Sequence, residues 1–295
     1  MKKILTIILC SALVMISGCD KYDFDQEQFR KEVNLLSNSN LVYDRQVAEL
    51  QQGGDTLFVV ASLSGSQATD EPVTVVLQHS DTLLRAYNKS NFDINKARFA
   101  KYLPEECYEF PTMEMNISAG SSKAMFPVYL KNLEKISPDS IYFLEYKIDS
   151  LRTPDCNPKK RHVLLRIHKE NYYASTQTAT YYNYTSSTVI TPNPDGYSEV
   201  RRPTNSNRVF PISENSVRLM AGDENFTDYT TALDIINKGS IILEMGTQLP
   251  ENPLAKELTI LPYQSIDVVQ LTPIGEYDNT YLLNVKALTS IPQDE

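Results

Sequence analysis

Alternation with a period of two is the dominant order in this chain, and it commits most of it to β structure. Met113, Met115 and Ile117 interleave with Thr112, Glu114 and Asn116, and Tyr142, Leu144, Tyr146 and Ile148 interleave with Phe143, Glu145, Lys147 and Asp149. Successive side chains of a strand point to opposite faces, so such runs bury one face and wet the other. Further strands are expected at 56–63, 72–78, 161–168, 178–185, 216–221, 240–246, 257–261, 266–272 and 280–286. The turn-forming run Ser118-Ala119-Gly120-Ser121-Ser122 predicts a hairpin between 112–118 and 123–130. Short strands at this spacing imply sandwiches. Two helical interruptions are expected, Asn91–Leu103 with Pro104 beyond its end and Asp228–Asn237 with Gly239 to stop it. The fold class is therefore mainly β, with two immunoglobulin-like β-sandwich domains in tandem and one or two short helices.

A chain of 295 residues exceeds what one core usually organises. The boundary is placed at Lys169-Glu170-Asn171, before a stretch rich in Thr, Ser, Asn and Pro that runs to about residue 208. This divides the chain into a leader (1–18), an acidic tether (19–34), an N-terminal domain (35–170) and a C-terminal domain (171–295). There is no internal repeat.

The leader has the three parts of an export signal: Met1-Lys2-Lys3, the apolar run Ile4–Met15, and Ile16-Ser17-Gly18 before Cys19. Twelve or so apolar residues reach only about 18 Å as a helix, short of the roughly 30 Å core of a bilayer, so the run is an address and not a span. Leu13-Val14-Met15-Ile16-Ser17-Gly18-Cys19 has the form of a lipobox, in which the Cys19 thiol takes a diacylglycerol and becomes a membrane anchor. Asp20 to Glu27 then carry no apolar period and read as a solvated tether.

The net charge of −9 falls to −11 once Lys2 and Lys3 leave with the leader. With no basic stripe to offset it, nucleic acid is excluded as a partner. Export leaves Cys107 and Cys156 as the cysteines of the folded part, a candidate disulfide whose loop of about 50 residues would be worth at most about 4 kcal/mol. His79, His162 and His168 lack metal-ligand spacing, Glu105-Glu106 flanks an expected helix end, and no Gly-x-Ser-x-Gly or phosphate loop is present. No catalytic residue, metal site or cofactor is read from the sequence. The densest aromatic cluster is Tyr172-Tyr173 and Tyr181-Tyr182-Asn183-Tyr184, in a chain with 18 tyrosines and no tryptophan. Flat aromatic faces with amides nearby suit sugar C–H surfaces and hydroxyls, so these six residues are the candidate ligand-binding set. Adjacent tyrosines in a strand face opposite ways, so half of each pair serves the core.

Several segments carry a resemblance to known families. Tyr87-Asn88, Leu103-Pro104-Glu105-Glu106-Cys107-Tyr108, Met113–Ile117 with Ser118-Ala119-Gly120, and Val163-Leu164-Leu165-Arg166-Ile167 before Asn171 resemble domain of unknown function 1735 over roughly residues 35–171. That family is an immunoglobulin-like sandwich of surface lipoproteins in Bacteroidetes polysaccharide-utilisation systems. The run Tyr142-Phe143-Leu144-Glu145 departs from its usual apolar stretch ending in proline. Tyr181–Tyr184, Val209–Arg218 and Asn279-Thr280-Tyr281 resemble domain of unknown function 4361 over roughly 175–286, without its closing aromatic strand. The resemblance implies a non-catalytic accessory protein that holds a polysaccharide or oligosaccharide beside an outer-membrane glycan importer complex. It also implies an acidic stretch after Cys19 that favours the outer face, as Asp20, Asp23, Asp25 and Glu27 do. The structural alternative is a fimbrillin-like adhesin, cut near Arg30 or Arg45 and completed by a donated strand. A glycan-active hydrolase is the third reading.

Overall fold

A computed structural model describes residues 27, 29–183, 189–192, 195, 198–201, 206–220, 236–237, 239–250, 252–264, 269–273 and 281–285. Cys19, the expected lipid site, Tyr184 and nearly all of the expected helix at 228–237 lie outside them.

The first half contains β1 (Val33–Leu35), β2 (Val42–Tyr43), β3 (Val47–Glu49), β4 (Asp55–Leu63), β5 (Val73–His79), helix α1 (Leu83–Phe92), β6 (Lys101–Tyr102), β7 (Tyr108–Glu109), β8 (Glu114–Ile117), β9 (Lys123–Leu130), β10 (Tyr142–Ile148) and β11 (His162–Asn171). One sheet has the order β1–β4–β9–β7. The facing sheet runs β11–β10–β5–β8, with β2 and β3 parallel to β11 and β6 parallel to β10. Val59, Phe126 and Val128 from the first sheet meet Val75, Leu144, Tyr146 and Leu165 from the second in one buried core. This is the sandwich that the alternation implies: β9 shows the period-two burial of its sequence residue by residue.

The second half contains β12 (Ala174–Ser175), β13 (Thr180–Asn183), β14 (Val189–Pro192), β15 (Ser198–Arg201), β16 (Ser206–Ser213), β17 (Ser216–Met220), β18 (Ser240–Leu249), β19 (Asn252–Pro262), β20 (Val269–Pro273) and β21 (Tyr281–Val285). Strand β12 adds to the end of β11, and β13–β16–β17–β18–β19 form a five-stranded antiparallel sheet beside the ribbons β14–β15 and β20–β21. Val209, Val217, Leu219 and Ile241 give one face of that sheet its own small core, with Tyr173 and Tyr182 against it.

Three expectations are corrected. Residues 112–118 and 123–130 do not form a hairpin: β8 pairs with β5, Ile117 opposite Val73, whereas β9 pairs with β4. The turn at 118–122, with Gly120 at φ 76°, carries the chain from one sheet to the other, and turn chemistry encodes a reversal without choosing the partner.

The helix spans Leu83–Phe92 and not Asn91–Leu103. Asn91 caps nothing; its amide donates to the Tyr87 carbonyl at 2.8 Å in the last turn. The true start is fixed from across the sheet by Glu145 on β10. Its carboxylate accepts from the backbone N–H groups of Thr82 (3.0 Å), Leu83 (2.9 Å) and Leu84 (3.1 Å) and from the Tyr102 hydroxyl (2.8 Å). A carboxylate at the positive end of a helix satisfies orphan donors and the macrodipole together. The helix then packs Leu84 and Tyr87 on Phe143 and Leu164 of the outer sheet face.

Finally, Cys107 and Cys156 are both free thiols, so the candidate disulfide is not made. Cys107 is buried at the start of β7 and its sulfur approaches the Asn132 carbonyl at 3.7 Å, whereas Cys156 lies beside Val33. Burial pushes the Cys107 thiol upward, away from the reactive thiolate.

Candidate functional site

Strand β11 is the spine on which the two halves meet. Val163, Leu165 and Ile167 point into the first core, which turns Arg166 and His168 to the outer face. At its end, the Asn171 amide donates to the carbonyls of Ser213 (2.6 Å) and Ser216 (2.9 Å) and accepts from the backbone of Tyr173 and Ala174. Arg218 of β17 forms a two-pronged pair with Asp139, in the loop before β10, and both side chains are buried. The Arg218 guanidinium also lies over the rings of Phe210 (4.5 Å) and Tyr263 (5.3 Å). Lys169 completes the seam, its buried ammonium donating to the carbonyls of Leu133 (3.1 Å) and Ile136 (3.0 Å). Burial lowers its pKa to about 8, opposed by the nearby carboxylates Asp139 and Glu134.

These ties enclose a cleft of about 230 Å³ between the domains. The end of α1 and the turn after it supply Phe92 and Arg98; β11 supplies Arg166 and His168; β16 supplies Arg208 and Phe210. Two of these three arginines ride on an aromatic ring: Arg98 stands 5.5 Å from the Phe92 centroid and Arg208 stands 4.7 Å from that of Phe210. His168 is held at about 4, first by burial and then by the Arg166 charge beside it, so it is neutral at ordinary pH. The carboxylate in the lining, Asp139, already faces Arg218. A cationic cleft has thus been built into an acidic protein.

A second hollow, about 400 Å³, lies where the Gln51–Gly54 turn meets Asn132–Glu134 and Ser213-Glu214, and no aromatic side chain lines it. Among the described residues no group of three or more His, Cys, Asp or Glu side chains could hold a metal ion, and no helix is long and apolar enough to cross a membrane.

The candidate tyrosines divide: Tyr181 and Tyr182 do so by strand alternation in β13, and Tyr172 and Tyr173 do so in the turn between β11 and β12. Tyr172 is 92% exposed and meets Tyr173 edge to face at 5.2 Å. Tyr173 and Tyr182 pack against the second core, joined by a hydrogen bond from the Tyr182 hydroxyl to the Tyr173 carbonyl (3.1 Å). Tyr181 is 57% exposed and pairs in register with Arg208, which extends the cleft-side face of β13–β16. Asn183 continues β13 opposite Ser206. Sequence reasoning missed Arg208, Phe210 and Arg218. The alternation Asn207, Val209, Pro211, buried in the structure, was the available signal for β16.

Two family models match the chain in succession, one for an N-terminal domain over residues 28–155 and one for a C-terminal domain over residues 161–291. The chain belongs to this two-domain family. The N-terminal match stops before β11, although β11 pairs with β10 along six residue pairs and so serves both halves. Among solved structures, the chain is similar to a multidomain protein including domain of unknown function 1735 from Bacteroides ovatus, at 18% identity and a TM-score of 0.60 over 82% of this chain and 75% of that one. It is likewise similar to a protein of unknown function from Bacteroides ovatus (17% identity, TM-score 0.58, 83% and 74% covered). A third neighbour is an auxiliary nutrient binding protein from Bacteroides thetaiotaomicron (17% identity, TM-score 0.56, 83% and 78% covered). At these identities the likeness is one of fold. No curated protein sequence matches the chain.

Proposed function

We propose that this protein is a non-catalytic accessory glycan-binding lipoprotein, anchored through Cys19 on the outer face of the outer membrane beside a glycan importer. The observation that carries the reading is the cleft between the domains, where fixed guanidinium groups, Phe92 and Phe210 surround room for a sugar residue. Shallow sites with a few convergent polar groups on aromatic walls suit sugars, whose hydroxyls need planar hydrogen-bonding partners. Exposed Tyr181 beside Arg208, and Tyr172, offer further flat faces. A neighbour of the same fold is named as an auxiliary nutrient binding protein, which agrees with this role.

The chain's entry point supports display. Glu27 accepts from the backbone N–H of Phe29 (3.0 Å), Ser66 (2.8 Å) and Gln67 (3.1 Å), which lowers its pKa to about 2 and ties the lead segment to the loop after β4. The other end of β4 begins at Asp55, opposite Leu130 and next to the turn that meets the second domain. At about 3.3 Å per residue this strand separates tether and second domain by about 30 Å. A lipid on Cys19 would therefore hold the first domain near the membrane with the second domain distal.

The test is a screen of the soluble chain from residue 20 onward against plant, host and microbial polysaccharides, followed by calorimetry on each hit. Binding that weakens in Phe92→Ala is expected, and silence across all three classes refutes the proposal. Mass spectrometry of the membrane-extracted protein should find an acylated Cys19; an uncut leader would refute the anchor.

A further inference from the structure

Resting on the glycan-binding reading, we infer that the interdomain cleft recognises an anionic sugar, a residue bearing a carboxylate or a sulfate. The first ground is charge placed against the trend of the molecule. The mature chain carries a large negative excess, yet Arg98, Arg166 and Arg208 line one small cleft whose carboxylate is already engaged by Arg218. Arg166 and Arg208 have no ion-pair partner among the described residues, and the acidic groups that act on this region, Asp44 and Glu134, are felt at His168 and Lys169. Like charges brought to one cleft repel one another, and an anion that enters between Arg166 and Arg208 relieves the repulsion.

The second ground is geometry. A guanidinium presents a planar fork that matches the two oxygens of a carboxylate or sulfate, and stacking on a ring fixes the plane of that fork before the ligand arrives. Arg208 lies over Phe210 in this way, and Arg98 over Phe92. Neutral His168 also lines the cleft, whereas the Thr176 hydroxyl is engaged by the Lys169 backbone, accepting from its N–H (2.9 Å) and donating to its carbonyl (3.1 Å). A volume of about 230 Å³ fits one substituted ring and not a long stretch of chain, so the cleft reads a charged residue within or at the end of a polymer.

The experiment titrates the soluble chain from residue 20 onward with polygalacturonate and with chondroitin sulfate, each beside its carboxyl-reduced or desulfated form and beside polyphosphate. Arg166→Gln and Arg208→Gln are compared with Lys123→Gln, which removes the same charge from an exposed site on β9. Circular dichroism establishes that each variant is folded. The expected result is binding to at least one acidic polymer that falls tenfold or more when its acid groups are removed and in each arginine variant. The same binding should hold in Lys123→Gln and shallow its salt dependence in Arg208→Gln. Binding of chondroitin sulfate that is lost on desulfation, with its uronate carboxylates still in place, identifies sulfate; binding of polygalacturonate that is lost on carboxyl reduction identifies carboxylate. Equal binding of native and neutralised polymers overturns the inference and leaves glycan capture standing. Equal binding of polyphosphate overturns sugar recognition in favour of general anion attraction. No binding to any polysaccharide, neutral or acidic, overturns both.

Discussion

Replacing Glu145 by Gln tests whether the position of α1 is set from across the sheet. The native carboxylate is nearly fully buried and accepts three backbone N–H bonds and one phenol bond, at 2.8–3.1 Å. Gln has the same shape and one acceptor oxygen. That oxygen can keep the Thr82 and Leu83 donors on one side, but the new NH₂ then points its hydrogens at the Leu84 N–H. One orphaned buried donor costs about 1–3 kcal/mol, and loss of the negative charge at the helix N-terminus removes about another 1 kcal/mol. The expected loss is therefore about 2–4 kcal/mol, roughly 5–12 °C in the transition of a domain this size.

Two readouts check it: the denaturant midpoint of the first domain, and hydrogen exchange at the Leu83 and Leu84 amides, which should accelerate far more than those of the β4–β9 ladder. The pH dependence gives the sign. Burial raises the Glu145 pKa, but the bonds from Leu83, Leu84 and Tyr102 outweigh it and the net shift from 4.5 is downward. The contribution is therefore complete above about pH 4.5 and disappears as the pH falls through the lower folded value. A Gln variant with an unchanged midpoint and unchanged exchange would refute the argument that Glu145 places the helix.

Tyr146 is wholly buried with a hydroxyl that has no hydrogen-bond partner among the described residues, so Tyr146→Phe should raise stability by about 1 kcal/mol in chemical denaturation, with the Phe110 stack (4.5 Å) retained. Asp139→Ala leaves Arg218 buried and unpaired, a cost of about 3–5 kcal/mol that the chain can escape by parting the domains. Calorimetry should then resolve two transitions where the native protein is more nearly cooperative. Lys169 has a folded pKa of about 8 against 10.5 unfolded. Its protonation favours the unfolded state, so stability should rise with pH between about 8 and 10, a rise absent from Lys169→Met.

The first sandwich was legible because its strands are half-buried, and half-burial writes itself into sequence as alternation. β9 and β10 are read within a residue of their limits for this reason. What failed was long-range. The helix start depends on a carboxylate more than 60 positions away, and the strand following a turn takes its partner from the other sheet. Glu145, where the chain departs from the usual apolar pattern of the family it resembles, was visible as a deviation, and its role needed the third dimension. The cleft was hidden more deeply. β16 begins at the end of the polar, proline-bearing stretch and carries a proline of its own, so its alternation was masked, and with it went Arg208 and Phe210. The tyrosine cluster was found, but composition could not assign Tyr173 and Tyr182 to packing and Tyr172 and Tyr181 to solvent.

The same ties that hold the two domains also set what the cleft can bind. Asp139 is the carboxylate that would otherwise neutralise Arg166 or Arg208, and Arg218 removes it from that role by pairing with it inside the seam. The buried pair is poor evidence for stability, since desolvation consumes much of its attraction. Its structural consequence is different: it fixes β17 against the loop before β10, and because Phe210 stands opposite Arg218 in register, it fixes the ring on which Arg208 lies. Loosening the seam should therefore weaken ligand binding even where no ligand-facing side chain is changed. In Asp139→Asn, which keeps one acceptor for Arg218 and no charge, the affinity for an acidic polymer should fall with the separation of the domain transitions. If affinity instead rose, as expected for simple removal of a negative charge from a cationic site, Asp139 would be a charge in the cleft and not a part of its frame.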